Sequence, residues 1–185
     1  MKAIIISGMP AAGKTTVANL LGKALGIRVV GMGDILKEMA RERGYIVTGE
    51  DWWDTPPGIK FLKEREGNPE LDKEADHKLI HLIETGDIIL TSWTAPWIAQ
   101  DGYKIWLDAN AENRAERMAK RDNTKLSQAI KTTKVRDEEN YKLYKRLYHF
   151  ELGRDKSPFD LVINTNSIPP EEVTQIIIKH IKSKE

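Results

Sequence analysis

A chain of 185 residues, 40% hydrophobic and 31% charged with a net charge of +1, carries enough apolar material for one buried core. The near-neutral balance argues against a surface built for nucleic acid, and no apolar run approaches the about 20 residues of a membrane-spanning helix. Zero cysteines exclude disulfides, thiolate metal sites and a cysteine nucleophile, and Met1-Lys2-Ala3-Ile4 is too short for a signal peptide, so a cytoplasmic, monomeric enzyme acting on a small molecule is the expectation.

In chain order, Ala3 to Ile6 reads as a short buried strand. The run Gly8-Met9-Pro10-Ala11-Ala12-Gly13-Lys14-Thr15 follows, and Thr15 to Leu25 has helical spacing. A second strand, Ile27 to Val30, leads through Gly31-Met32-Gly33 into a helix from Asp34 to Arg43, with Asp34 placed to cap it. Gly44 to Asn68 holds glycines, prolines and two tryptophans and reads as a loop-rich insertion. A helix over about Pro69 to Glu84 and a strand from Ile88 to Leu90 come next. Then follow a strand from Tyr103 to Leu107, helices over Ala111 to Arg121 and about Thr124 to Phe150, and a strand from Leu161 to Ile163. The closing helix, Pro170 to Lys182, is marked by Pro169-Pro170 and by Glu171 and Glu172 in its first turn. Continuous apolar strands alternating with helices predict an α/β fold, a parallel sheet covered on both faces, within one domain over 1–185.

The glycine run sits between strand and helix, the context in which Gly-x-x-x-x-Gly-Lys-Thr works as a phosphate-binding loop (P-loop). Its N–H groups, with those of Thr16 just inside the helix, turn toward a phosphate, and the helix dipole adds to the field. Lys14 reaches the β- and γ-phosphates of a bound nucleotide, and the Thr15 hydroxyl ligates Mg²⁺. ATP with Mg²⁺ is therefore the expected ligand. Such sheets bind ligands at the carboxyl ends of their strands, where Gly31-Met32-Gly33-Asp34, Thr91-Ser92-Trp93, Asp108-Ala109-Asn110 and Asn164-Thr165-Asn166 gather. From Arg114 to Arg146, eleven basic residues face five acidic ones, a local net of +6, which reads as a solvated face or as a basic flap over polyphosphate. His77 and His81, four apart on one helix, have no third metal ligand in evidence and read as surface residues.

Taken together, the loop, Gly33-Asp34-Ile35-Leu36-Lys37-Glu38-Met39-Ala40, Pro69-Glu70-Leu71-Asp72, Lys104-Ile105-Trp106-Leu107, Arg114 to Arg121, Arg136-Asp137-Glu138-Glu139 and Asp160 to Thr165 resemble the nucleoside monophosphate kinases, most closely the archaeal type of cytidylate kinase. The resemblance implies a three-layer P-loop kinase fold with strand order 2-3-1-4-5, an acceptor-binding insertion about 34–84 and a lid about 117–146. It implies transfer of the γ-phosphoryl of ATP to CMP, dCMP or a related nucleotide. Arg117 and Arg121 fall to the ATP side, where spacing of four lets both guanidiniums stack on adenine or fork onto phosphate. Arg136 falls to the lid as a transition-state ligand, catalytic with Lys14. Lys37, Arg41, Asp72 and Trp93 fall to the acceptor.

Departures from the family pattern fall on the acceptor side. Lys37 stands where an arginine is typical, Thr91-Ser92-Trp93 replaces Glu-Gly-Arg, and Tyr141 and Leu143 replace lid arginines. These changes predict an acceptor other than CMP, or a weaker hold on it, with Trp93 or Asp51-Trp52-Trp53-Asp54 stacking on a base or simply packing the insertion. Two alternatives stay open at this point: a kinase of another small acceptor, and an ATP-dependent assembly factor on an adenylate-kinase-like fold.

Overall fold

A run of β-branched isoleucines favours extended backbone, and in the computed structural model Ile4–Ser7 forms the central strand, β1. The structure describes residues 2–49, Trp52 and residues 55–184. The other elements are α1 (Lys14–Leu25), β2 (Arg28–Gly31), α2 (Met32–Glu42), α3 (Pro56–Glu66), α4 (Pro69–Thr85), β3 (Ile88–Thr91) and α5 (Ala95–Ile98), then β4 (Tyr103–Asp108), α6 (Ala111–Asp122), α7 (Leu126–Tyr148), β5 (Leu161–Asn164) and α8 (Pro170–Lys182). The sheet is parallel throughout, in the order β2-β3-β1-β4-β5, as expected. In its register Ile5 lies opposite Leu90 on one side and Lys104 on the other.

Side chains alternate across β1, so each face of the sheet meets its own helical layer. Ile4 and Ile6 join Val17 and Leu21 of α1 and Val173 and Ile177 of α8. Ile5 joins Ile35 and Met39 of α2 and Leu79 of α4. Close approach is enforced at Gly22, where a Cβ would lie 2.6 Å from the Val29 side chain. An aromatic cluster around Trp106 and Phe150 forms a third core, in which Trp97 stacks on Phe150 with ring centroids 3.9 Å apart. No helix of the described residues is long and apolar enough to cross a membrane.

The segment expected to be loop-rich contains a helix, α3. Its Pro56-Pro57 looks like loop punctuation but occupies the first turn, where a missing N–H costs nothing, and the Thr55 hydroxyl accepts the Gly58 N–H at 3.3 Å. Trp52 is 1% exposed, edge-on to Tyr45 and tilted against Phe61, and its indole N–H donates to the Ile46 carbonyl at 2.9 Å. It packs the insertion and presents no face to a base. Asp51, Trp53 and Asp54 lie outside the described residues. The short α5 also escaped the sequence pattern, being a single turn opened by Pro96.

Candidate active site

The glycine loop leaves the carboxyl end of β1 and bends through left-handed backbone at Ala11 (φ 62°) and Gly13 (φ 96°), the residue just before α1. At Gly8 a Cβ would stand 2.6 Å from the Leu107 carbonyl oxygen, so only glycine lets the loop pass β4. The Ala12 N–H donates to the Met9 carbonyl at 3.1 Å, closing the turn. Lys14 folds back over it, its ammonium donating to the carbonyls of Gly8 (2.8 Å) and Met9 (3.0 Å) and lying 5.4 Å from the centre of the Trp93 ring. Lys14 is partly buried. That burial, aided by the nearby Arg114 charge, pulls its pKa from 10.5 to about 7.

Beside the loop opens a cleft of about 870 Å³, lined by Pro10 through Val17 along one wall and by Arg117, Arg121 and Arg136 along another. All three sequence-predicted arginines therefore meet at the loop. Arg117 reaches from α6 to the chain after β5, donating to the Thr165 carbonyl and, at 3.3 Å, to its hydroxyl. Arg121 rests in an exposed pair with Asp122 at 2.6 Å. At the far end Ile168, Pro170 and Val173 give an apolar wall suited to a nucleobase. Gly8 and Met9 do not line the cleft themselves and act through their carbonyls.

Arg114 is a contributor that the sequence pattern did not single out. It is 4% exposed and donates to the Pro10 carbonyl of the loop at 3.3 Å, to the Ala109 carbonyl at 3.1 Å and to Asp137 of α7 at 2.9 Å. The residue beside Arg136 is thus tied to the loop's own support.

A second cavity, of about 600 Å³, joins the first. Lys14, Thr15 and Trp93 line both. The Thr15 hydroxyl has no hydrogen-bond partner among the described residues, and an oxygen ligand at this junction suits a hard cation such as Mg²⁺. No cluster of three or more His, Cys, Asp or Glu side chains able to hold a metal occurs among the described residues, and His77 and His81 are both exposed on α4. The Trp93 indole N–H donates to the Gly8 carbonyl at 2.8 Å, so this ring is fixed to the loop.

Lys37 and Asp72 line the second cavity, and Lys37 donates to the Gly49 carbonyl at 3.1 Å. Arg41 does not reach either cavity. It is exposed one turn further along α2, about 6 Å of helix rise from Lys37 and away from the sheet's carboxyl edge. Asp34 caps α2 as expected, accepting the Gly31 N–H at 2.7 Å, and also lines the cavity. Asp72 is not a free solvated acid: it accepts the Arg65 Nε–H at 2.7 Å.

Arg65 and Asp76 complete this cavity, and neither stands out in the sequence. Asp76, 8% exposed, accepts the Thr94 hydroxyl at 3.0 Å and the Tyr148 hydroxyl at 2.7 Å. Burial raises its carboxyl pKa, and those two hydrogen bonds oppose the rise. The signal available was spacing: Asp76 lies four residues after Asp72, on the same helical face. Trp97, stacked in the aromatic core, lines neither cavity.

Comparison with known proteins agrees with this geometry. Residues 3–167 match the model of the cytidylate kinase-like family. A cytidylate kinase of Sulfurisphaera tokodaii is 34% identical over 177 residues, covering 94% of this chain and 92% of its own. One from Methanocaldococcus jannaschii is 33% identical over 179 residues, covering 94% of each. Among solved structures, shikimate kinase from Acinetobacter baumannii in complex with shikimate superposes with a TM-score of 0.57 at 20% identity, over 100% of this chain and 95% of that one, a likeness of fold.

Proposed function

Since the chain belongs to the cytidylate kinase-like family and is an ATP-dependent phosphotransferase, we propose that it transfers the γ-phosphoryl of ATP to CMP or dCMP within the two joined cavities. The observation that carries this reading is the shared wall of Lys14, Thr15 and Trp93, which sets a nucleotide in the loop side by side with an acceptor. Curated relatives that match over most of the chain are cytidylate kinases, and they lend no support to a different acceptor or to an assembly factor.

The loop N–H groups from Ala11 to Thr16 and the Lys14 ammonium hold the β- and γ-phosphates. Arg117 uses its nitrogens on Thr165, leaving its flat face for adenine, with Ile168 and Pro170 opposite. Thr15 would hold Mg²⁺, which would supply neutralisation of the phosphate charge. An oxygen of the acceptor phosphate attacks the γ-phosphorus, the bond to the bridging oxygen breaks, and ADP leaves with that electron pair. No general base is required, because the acceptor phosphate is already anionic at neutral pH. Arg136 neutralises charge on the transferring group, and α7 acts as the lid that keeps water out. The binding of Lys37, Asp72 and Trp93 to the acceptor belongs to the same proposal.

Specificity constants for CMP, dCMP, UMP, AMP and GMP, measured side by side, test the assignment. A value for CMP near about 10⁶ M⁻¹s⁻¹, exceeding the others, is the expected result. Acceptor-independent slow hydrolysis, or preference for a different acceptor, overturns it.

A further inference from the structure

We propose that Arg65 is the guanidinium that binds the acceptor's phosphate, held in position by Asp72; this rests on the cavity being an acceptor site. A dianionic phosphate needs cationic donors, and the described cations lining this cavity are Lys14, Lys37 and Arg65. Lys14 is committed to the donor loop, its ammonium already on the Gly8 and Met9 carbonyls. Lys37 supplies a point charge beside the Gly49 carbonyl. Arg65 is the sole guanidinium among them.

Its presentation is built into α3. Phe61, fully buried, anchors that helix in the core, and Arg65 follows four residues later on the same face, directed inward. Asp72 engages only its Nε, at 2.7 Å. The two terminal nitrogens have no hydrogen-bond partner among the described residues, and the side chain, 33% exposed, lines the cavity. That leaves the outer fork of the guanidinium without a described protein partner, and this is the edge that grips two phosphate oxygens at once. A carboxylate on Nε fixes the plane of the fork without blocking it. The insertion that carries α3 thereby acquires a chemical role, the delivery of one arginine, with Trp52, Tyr45 and Phe61 as the packing that holds it still.

The test compares CMP with cytidine, which lacks only the phosphate, in the wild type and in Arg65→Ala and Arg65→Lys. Arg65→Ala is expected to raise KM for CMP by about thirty- to hundredfold, the factor carried by one charge-assisted contact. KM for ATP should stay within about twofold, and the Kd for cytidine, by calorimetry, should not change. Arg65→Lys should recover part of the loss, and it carries the test alone if the alanine variant melts early. Asp72→Asn, acting on the orientation of Arg65, should raise KM for CMP by a smaller factor of about three to ten, an effect that disappears in the Arg65→Ala background. An unchanged KM for CMP in both Arg65 variants overturns the proposal, as does an equal loss of CMP and cytidine binding, which would make Arg65 a shaper of the cavity. A wild type that ignores CMP overturns the acceptor assignment instead. The same pair of measurements on the preferred acceptor and its dephosphorylated form then decides Arg65.

Discussion

On the donor side, eight consecutive residues from Gly8 to Thr15 set out backbone N–H groups, a lysine and a hydroxyl, and the arginines of α6 and α7 only complete the wall. On the acceptor side, Asp34 and Lys37 come from α2, Arg65 from α3, Asp72 and Asp76 from α4, Trp93 from the chain after β3, and Tyr148 from the end of α7. One half is a local backbone conformation and the other a convergence of side chains. A site of the first kind tolerates change nearly everywhere except at its glycines, its lysine and its hydroxyl. A site of the second kind can exchange members, provided the charge and shape at the centre are supplied from somewhere.

The most severe way to probe that contrast is Lys14→Ala. It should lower kcat by at least about a thousandfold in a coupled ADP assay, because nothing else on the donor side replaces a charge lodged in the loop. A fall of less than tenfold would break the contrast. Arg136→Ala should lower kcat by about a hundredfold with KM for CMP nearly unchanged, the signature of an interaction made mainly in the transition state. If KM moves and kcat does not, Arg136 serves ground-state binding.

A third measurement concerns pH. The folded pKa of Lys14, about 7, lies below its ordinary 10.5, so above neutrality the free enzyme holds this lysine mostly uncharged. Polyphosphate favours the ammonium, so ATP binding should take up a proton between about pH 7 and 10, and ATP affinity should fall as pH rises through that window. The unfolded chain binds more protons over the same range, so the contribution of Lys14 makes stability rise with pH there. Calorimetry in buffers of different ionisation enthalpy reads the uptake, which should vanish in Lys14→Met. The smallest effect is expected at Arg41, exposed on α2 and outside both cavities: Arg41→Ala should leave the specificity constant for CMP within about twofold. A tenfold loss there would return Arg41 to the acceptor site.

The same contrast explains what could be read in advance. A contiguous motif is visible in sequence because its geometry depends on neighbours in the chain, and apolar strand runs are visible because both faces of the sheet are covered. The strands and the donor loop were legible for these reasons, and the strand order came only through the family resemblance. Arg65 was not, since recognising it requires knowing first that Pro56-Pro57 starts a helix and then that Phe61 faces the core. Arg41 shows the opposite error. Spacing of four from Lys37 places it near the right face of α2, but the cavity lies at the N-terminal end of that helix, and one turn is enough to leave it. Trp52 had two physical fates, stacking or packing, and composition alone does not choose between them.

Trp93 has a consequence for how this enzyme can be observed. Of the described tryptophans, Trp52, Trp97 and Trp106 line neither cavity, whereas the Trp93 ring borders both and lies 5.4 Å from the Lys14 ammonium. Indole emission responds to nearby charge and polarity. In the proposed reaction, loading the donor should draw that ammonium toward phosphate, and loading the acceptor should place the substrate against the other side of the ring. The chain thus carries a native optical probe at the junction proposed for phosphoryl transfer, able to separate the order of substrate binding in a stopped-flow trace without a label.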